Sequence, residues 1–496
     1  MPTLDRQLRT RLFAGAAALI ALIAIPPAAF AQAQFTLLHS FNGADGFGPM
    51  AGVIQGTDGA LYGTTSGQVD SPIVGTVFRL DRTTMGLTTL HSFTDGSRLF
   101  SGLTFGSDGL LYGSTYSGGT DGLGTLFRVG PDGENYASLH SFSGGEDGAR
   151  PDDAKLTQAS DGSFYGTTSE GGIHAGGTLF RLDPVAPALT TPYSFTGTAG
   201  VDAGLMAGPS GYWYGTTYSG GAHGLGSVFE IARDSTSPTT LHDFTGPDGA
   251  NPVPGALMQG RDGNLYGTTQ LGGGGYGTVF KLDPATGDLT TLHTFSAIND
   301  GRMPLGGVTE GTDGYLYGTT VLGGQGYGTV YRVHPKTLAY NIVYLFGGPN
   351  GRSPSGNLLL GDDGALYGVT RLGGAANAGT VFRLSSLVTP PPDTAPPVIT
   401  SITAAPSVLK PANGKMVPVT STVVATDAVD PAPKCKIIGV TSDQSIIGDW
   451  IITGDLTLNL RAKRSGQVTR IYTIAVQCTD ASGNSKAGTV NVTVPK

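Results

Sequence analysis

Apolar and polar positions alternate along this chain in short runs separated by glycine-rich turns, and one run keeps returning. Leu265-Tyr-Gly-Thr-Thr269 carries residues of high strand propensity, and Gly277-Thr-Val-Phe-Lys-Leu282 resumes the alternation after a glycine loop. Leu289-Thr-Thr-Leu-His-Thr-Phe295 supplies another run, and Gly255-Ala-Leu-Met-Gln259 precedes them all. Between these runs, Arg261-Asp-Gly-Asn264 has the Asp-Gly pair of a tight hairpin, and Asp283-Pro-Ala-Thr-Gly287 is a second turn. Gly267 sits inside a strand, where a missing side chain lets a neighbour approach. The unit therefore predicts four short antiparallel strands, which bury both faces only when copies stack.

Copies do recur. The strand tyrosine returns at Tyr62, Tyr112, Tyr165, Tyr214, Tyr266, Tyr317 and Tyr367, a spacing of 49–53 residues that marks a repeat architecture. The last run of the unit recurs with its phenylalanine at Phe41, Phe93, Phe142, Phe195, Phe244, Phe295 and Phe346. Its first copy, Phe35 to Phe41, precedes any complete unit, while the last unit stops after Gly379-Thr-Val-Phe-Arg-Leu384. An orphan strand at the start matches a vacancy at the end, and filling it removes exposed sheet edges. The expected fold is all-β: a seven-bladed β-propeller of four-stranded blades over 35–384, closed by the N-terminal strand and followed by a small β-sandwich.

The string Asp-Gly-x-Leu-Tyr-Gly-Thr-Thr, then Gly-Gly, Gly-Thr-Val-Phe-Arg-Leu and Leu-His-Ser-Phe, resembles the GloVer repeat of exported bacterial proteins. The resemblance covers residues 35–384. It implies tandem copies and varied C-terminal anchors, and brings no activity with it. Two units depart from the pattern: Pro209-Ser-Gly-Tyr-Trp-Tyr214 lacks the turn aspartate, and Ser66-Gly-Gln-Val-Asp-Ser71 lacks Gly-Gly.

Beyond the repeats, residues 385–397 form a proline-rich, stiff linker. Valine, isoleucine and threonine then alternate, with strands expected at Val417 to Ala425, Leu456 to Arg461 and Thr469 to Cys478 and a turn at Asp480 to Asn484. Residues 398–496 thus predict a β-sandwich. Lys415-Met-Val-Pro-Val419, Leu460-Arg-Ala-Lys-Arg-Ser465 and Tyr472 to Asn484 resemble an immunoglobulin-like accessory domain, which implies display or adhesion. The two cysteines, Cys435 and Cys478, both fall here. In an exported chain they predict a disulfide closing a loop of about 40 residues, worth about 3–4 kcal/mol; free thiols are the alternative, and two cysteines alone are too few for zinc.

The N-terminus predicts that export. Arg6, Arg9 and Arg11 precede an apolar run from Leu12 to Ile25, and Ala29-Phe30-Ala31 offers a cleavage site, giving a signal peptide at 1–31. The run is shorter than the roughly 20 residues that span a bilayer. A secreted or cell-surface location follows, with the periplasm as another destination and no membrane insertion after cleavage. The formal charge of -8, with no basic block, argues against nucleic acid as a partner.

Chemistry is harder to find. His39, His91, His140, His242 and His293 share one position, filled elsewhere by Tyr193 and Tyr344, and residues that follow the repeat suit packing and one hydrogen bond better than catalysis. The aspartates before glycine, such as Asp262, read as turn residues, as do Asp45, Asp147, Asp248 and Asp300 in the loops between units. Asp121, His174 and His223 break the symmetry in the second-to-third-strand loops of three consecutive units and are candidate metal ligands, against a reading as solvated loop residues. Tyr116, Tyr218, Tyr276 and Tyr327 lie in or beside the same loops as candidate contacts for a glycan or protein partner, against ordinary packing. Lys155 and Glu310 are nearly the only ionisable residues of the first strands. No catalytic residue and no cofactor is assigned. The expectation is an exported, non-enzymatic repeat protein that binds through loops; a propeller lyase or hydrolase on polysaccharide and a structural surface component are the alternatives.

Overall fold

The computed structural model describes residues 33–496 apart from 69–73, 96, 152–154, 197–204, 209–210, 234, 236, 254–256, 297–299, 386–394, 428–432, 445–447 and 481–482. The expected signal peptide and most of the linker lie outside the described residues. The chain divides between Thr389 and Pro390 into two compact units. Both are built from antiparallel strands, and no α-helix occurs among the described residues.

In the repeat unit the strands form propeller-like blades. Ile54–Gln55, Leu61–Thr65, Thr76–Leu80 and Leu87–Ser92 make one four-stranded sheet in chain order, and the following repeats do the same. The fifth repeat adds Ala250–Pro252 beside its second strand. In the last repeat, Arg352–Leu360, Leu366–Leu372 and Thr380–Ser385 are joined by Gln34–Ser40, which pairs antiparallel with Thr380–Ser385.

Three features of the repeated string explain its spacing. The glycine of Tyr-Gly-Thr-Thr lies under the aromatic ring of the third strand: a Cβ on Gly267 would fall 2.6 Å from Phe280 Cζ. The second threonine of that string shares a hydrogen bond with the threonine opening the third strand, as in Thr65–Thr76 at 2.8 Å and Thr370–Thr380 at 2.7 Å, with Ser227 as partner of Thr217 in the fourth repeat. Those hydroxyls are buried, so each pair satisfies groups that would otherwise cost about 1–3 kcal/mol. The Asp-Gly turn closes as expected, Gly260 N–H donating to the Asn264 carbonyl at 2.9 Å and Gly263 adopting a φ of +84°.

The core is distributed between neighbours. Tyr214, Val228 and Phe244 cluster with Leu265, Phe280 and Leu282, joining the fourth and fifth repeats, while Leu38, Phe41, Leu61 and Phe78 cluster with Tyr367, Val369 and Val381, joining the first and last. Polar ties follow the same course: Thr64 Oγ1 donates to the Ser101 carbonyl, Thr268 Oγ1 to that of Gly306, and Ser355 Oγ to that of Pro49.

The C-terminal unit has two sheets. Val398–Ala405, Met416–Thr426, Thr457–Arg461 and Trp450–Gly454 form one; Lys434–Ser442, Arg470–Thr479 and Ser485–Val494 form the other. Val419, Leu458 and Leu460 from the first share one buried cluster with Ile437, Ile474, Val476 and Val492 from the second. Cys435 and Cys478 are register partners and form the disulfide, across 43 residues of sequence.

Candidate functional site

The loops that lead from one repeat to the next are organised by pairs that join two residue sets read separately in the sequence. His39 Nε2 lies 3.0 Å from Asp45 Oδ2, and the same bond links His140 to Asp147, His242 to Asp248 and His293 to Asp300 at 2.9–3.2 Å. Each aspartate also accepts a backbone N–H from its own loop, as Asp248 does from Thr245 at 2.8 Å. Where tyrosine replaces the histidine at Tyr344, asparagine replaces the aspartate at Asn350, and the two still bond. Burial pushes the Asp248 carboxyl up, but the bonds from Thr245 and His242 outweigh it and hold it below the ordinary carboxylate value. Burial pushes His293 below its ordinary value against the pull of Asp300. The turn role of these aspartates is thus half of their work; holding the histidine ring is the rest.

The aspartates before glycine are equally occupied. Asp58 accepts Tyr62 OH at 3.0 Å and Arg79 Nη2 at 2.7 Å, and Asp363 takes Tyr367 and Arg383 in the same way. Burial, then the neighbouring Asp108, pushes the Tyr112 phenol up to about 12. The fourth repeat, which lacks the aspartate, also carries Glu230 where the others have arginine or lysine. A cavity of about 340 Å³ lies where the first repeat meets the last, lined by Thr36, Leu38, Arg82, Met85, Tyr367 and Arg383 among others. Its charges are spent on one another: Arg82 reaches Asp362 at 2.9 Å and Tyr367 OH at 3.2 Å.

Glu310 is a tie between repeats, accepting the Arg261 N–H at 3.1 Å as Gln158 accepts that of Ser107. Lys155 differs: it is exposed and makes no hydrogen bond or ion pair among the described residues.

Asp121, His174 and His223 are all exposed, and among the described residues no three His, Cys, Asp or Glu side chains form a group able to hold a metal ion. They lie in the loops of three consecutive repeats. The four tyrosines are half-buried. Tyr218 OH donates to Gln270 Oε1 at 2.8 Å. Tyr276 and Tyr327 pack against core clusters, and their carbonyls accept N–H groups of Met303 and Ser353. Each of the three is thus held by packing or by a hydrogen bond.

Tyr116 belongs to a distinct group. The Arg150 guanidinium lies 4.8 Å from its ring centroid, Phe100 lies 5.1 Å away on centroids, and Arg98 lies 4.7 Å over Phe100. Arg150 also pairs with Glu170 at 3.0 Å, whereas Arg98 Nε is buried without a hydrogen-bond partner among the described residues. Arg150 has a φ of +55°, as do Asn251, Met303 and Ser353 within 2°, each just before a proline. The recurring Gly-x-x-Pro of the crossing loops, passed over in the sequence reading, was the signal for this shared backbone. The stack of two arginines and two aromatic rings is the best-equipped surface for a ligand among these loops.

A family model described as the Gloeobacter/Verrucomicrobia repeat matches residues 25–206, 145–325 and 254–391. A comparison with curated proteins gives no match. Among solved structures, the chain is similar to an oligogalacturonate lyase in complex with manganese (16% identity, 72% of this chain and 94% of that one, TM-score 0.45). It is also similar to the oligogalacturonate lyase of Vibrio parahaemolyticus (11%, 72% and 94%, TM-score 0.46) and to a fungal alcohol oxidase in complex with copper (13%, 93% and 99%, TM-score 0.47). At such scores these likenesses carry no argument about activity.

Proposed function

The chain belongs to the Gloeobacter/Verrucomicrobia repeat family, and from that premise we propose an exported, non-enzymatic binding protein. Its repeats make a seven-bladed propeller, with Gln34–Ser40 as the outer strand of the last blade. Support comes from the pairing of that strand with Thr380–Ser385 and from the core cluster that joins the first repeat to the last. The C-terminal unit is an immunoglobulin-like sandwich acting as spacer or docking module. Its single shared core fits that reading, as does the Tyr472 hydroxyl, which donates back to the Arg461 carbonyl at 2.8 Å. Export agrees with the disulfide and with the leader read from the sequence.

One observation carries the binding role. Most of the repeated histidines, tyrosines and aspartates are tied to one another, whereas the stack of Arg98, Phe100, Tyr116 and Arg150 brings two guanidinium groups and two aromatic rings together on the loop side. Rings beside guanidinium groups suit a glycan or a protein segment. The test is a glycan array on purified protein, with chromatography of polysaccharides incubated with it. Retention of intact glycan, weakened at least tenfold in Tyr116→Ala and Arg150→Gln with unchanged melting, is expected. Cleavage products that track the folded protein would make it a propeller enzyme and overturn the reading.

A further inference from the structure

One junction between repeats is built unlike most of the others. After the third strand, the second, third, fifth and sixth repeats carry Pro131, Pro184, Pro284 and Pro335, whereas the first carries Arg82. Arginine recurs there once, as Arg233, which donates to Ser160 Oγ at 3.0 Å. A proline has no donor to send across a junction, but a guanidinium has five. Arg82 uses them on both sides: Nε donates to the Gly59 carbonyl of its own repeat, and Nη1 reaches Tyr367 OH and Asp362 of the last. Its turn is fixed as well. Asp81 Oδ1 accepts the N–H groups of Thr83 and Thr84 at 2.8 and 2.9 Å, and Met85 takes a φ of +59°. Arg82, Thr83 and Met85 thus line the cavity of about 340 Å³ from the first repeat, and Asp363, Tyr367 and Arg383 line it from the last. Thr36, the register partner of Arg383, and Leu38 complete the lining from the first strand.

The charges around this cavity balance. Arg82 lies 2.9 Å from Asp362 and Arg383 lies 2.8 Å from Asp363, which also accepts Tyr367 OH at 2.9 Å. An entering ion would have to break one of these pairs to find a partner, so a charged ligand gains no advantage here. Hydrogen-bonding capacity remains. Arg82 Nη2, Arg383 Nη1 and the hydroxyls of Thr36 and Thr83 make no hydrogen bond to the described residues. The guanidinium nitrogens donate, each hydroxyl donates or accepts, and Leu38 and Met85 add an apolar surface. The volume falls at the lower end of the range for ligand pockets, about 300–1,000 Å³. A sugar ring matches such a wall, with hydroxyls at its rim and C–H groups on its faces.

We propose that this seam cavity is a second binding site, which takes an uncharged sugar residue. Its hydroxyls meet Arg82, Arg383, Thr36 and Thr83, and its C–H face lies against Leu38 and Met85. The site belongs to the opposite end of the second strands from the loop-side stack, since Asp363 precedes Leu366–Leu372 whereas Tyr116 follows Leu111–Thr115. It therefore goes beyond the loop-side reading and stands without it.

The test is NMR of the full chain labelled with carbon-13 on its methionine methyl groups, the Met85 resonance being assigned by Met85→Leu. The probes are the methyl glycosides of glucose, galactose, mannose and xylose, with glucuronate as the charged comparison. The Met85 resonance is expected to shift saturably with at least one neutral glycoside, and at a lower concentration than with glucuronate. Thr83→Trp, which fills the cavity and leaves the ion pairs in place, abolishes that shift with unchanged melting. Thr36→Val, which removes one hydroxyl, weakens the apparent affinity about threefold and keeps the test open where the tryptophan variant does not fold. A Met85 resonance that stays still with all four glycosides, a preference for glucuronate, or a shift that survives both variants overturns the seam site. Other methionines that shift while Met85 stays still place the sugar elsewhere and overturn it likewise.

Discussion

The repeat unit and the C-terminal unit solve the same problem differently. In the repeats, buried polar groups are matched locally and many times over: a hydroxyl pair inside each sheet, histidine with aspartate at four crossings, tyrosine with aspartate at the hairpins. The C-terminal unit relies on features that occur once. Arg470 is fully buried and forms an ion pair with Asp449 at 2.6 Å, Arg461 reaches the same aspartate at 3.1 Å, and one disulfide joins adjacent strands. Redundant ties tolerate loss at one position, whereas single ties concentrate stability in a few residues.

The largest break in that contrast is Cys478→Ala. By loop-closure entropy over 43 residues it removes about 4 kcal/mol from the C-terminal unit. Calorimetry of the full chain should show one transition falling steeply while that of the repeats stays in place; a shift of both would dissolve the distinction. Next is Gly267→Ala, whose methyl group meets Phe280 and costs about 2 kcal/mol, read as lowered melting of the repeat transition alone.

A smaller effect of opposite sign comes from Tyr331, which stands where the other repeats have phenylalanine. Its hydroxyl is buried without a partner among the described residues, so Tyr331→Phe stabilises the repeats by about 1 kcal/mol. The smallest concerns pH. His293 titrates below its ordinary value when folded, so above about pH 6.5 it is neutral in both states. As pH falls below that, the unfolded chain takes the proton first and the repeat unit loses stability until the folded pKa is passed. His293→Phe flattens this limb. The C-terminal unit, whose sequence from 398 to 496 contains no histidine, shows none of it.

Much of the fold was legible because the period forces it. Seven returns of Tyr-Gly-Thr-Thr specify a strand, a close approach at glycine and a partner for threonine, and the disulfide followed from two cysteines in one small unit. The site was less legible because it depends on contacts between repeats. His39 and Asp45 were read as two sets since their bond bridges six residues of loop, and Glu310 reads as chemistry until its backbone partner in the preceding repeat is seen. The stack of Arg98, Phe100, Tyr116 and Arg150 joins residues up to 52 apart, so only Tyr116 could be picked out, and for its residue type alone.

The most direct test of the account is hydrogen exchange of the full chain, followed by mass spectrometry of peptides covering Gln34–Ser40 and Thr380–Ser385. If the first strand completes the last sheet, the two peptides exchange together, at the rate of global unfolding of the repeat unit. Rapid exchange of the Gln34–Ser40 peptide while Thr380–Ser385 stays protected would contradict it, and with it the proposed closed ring.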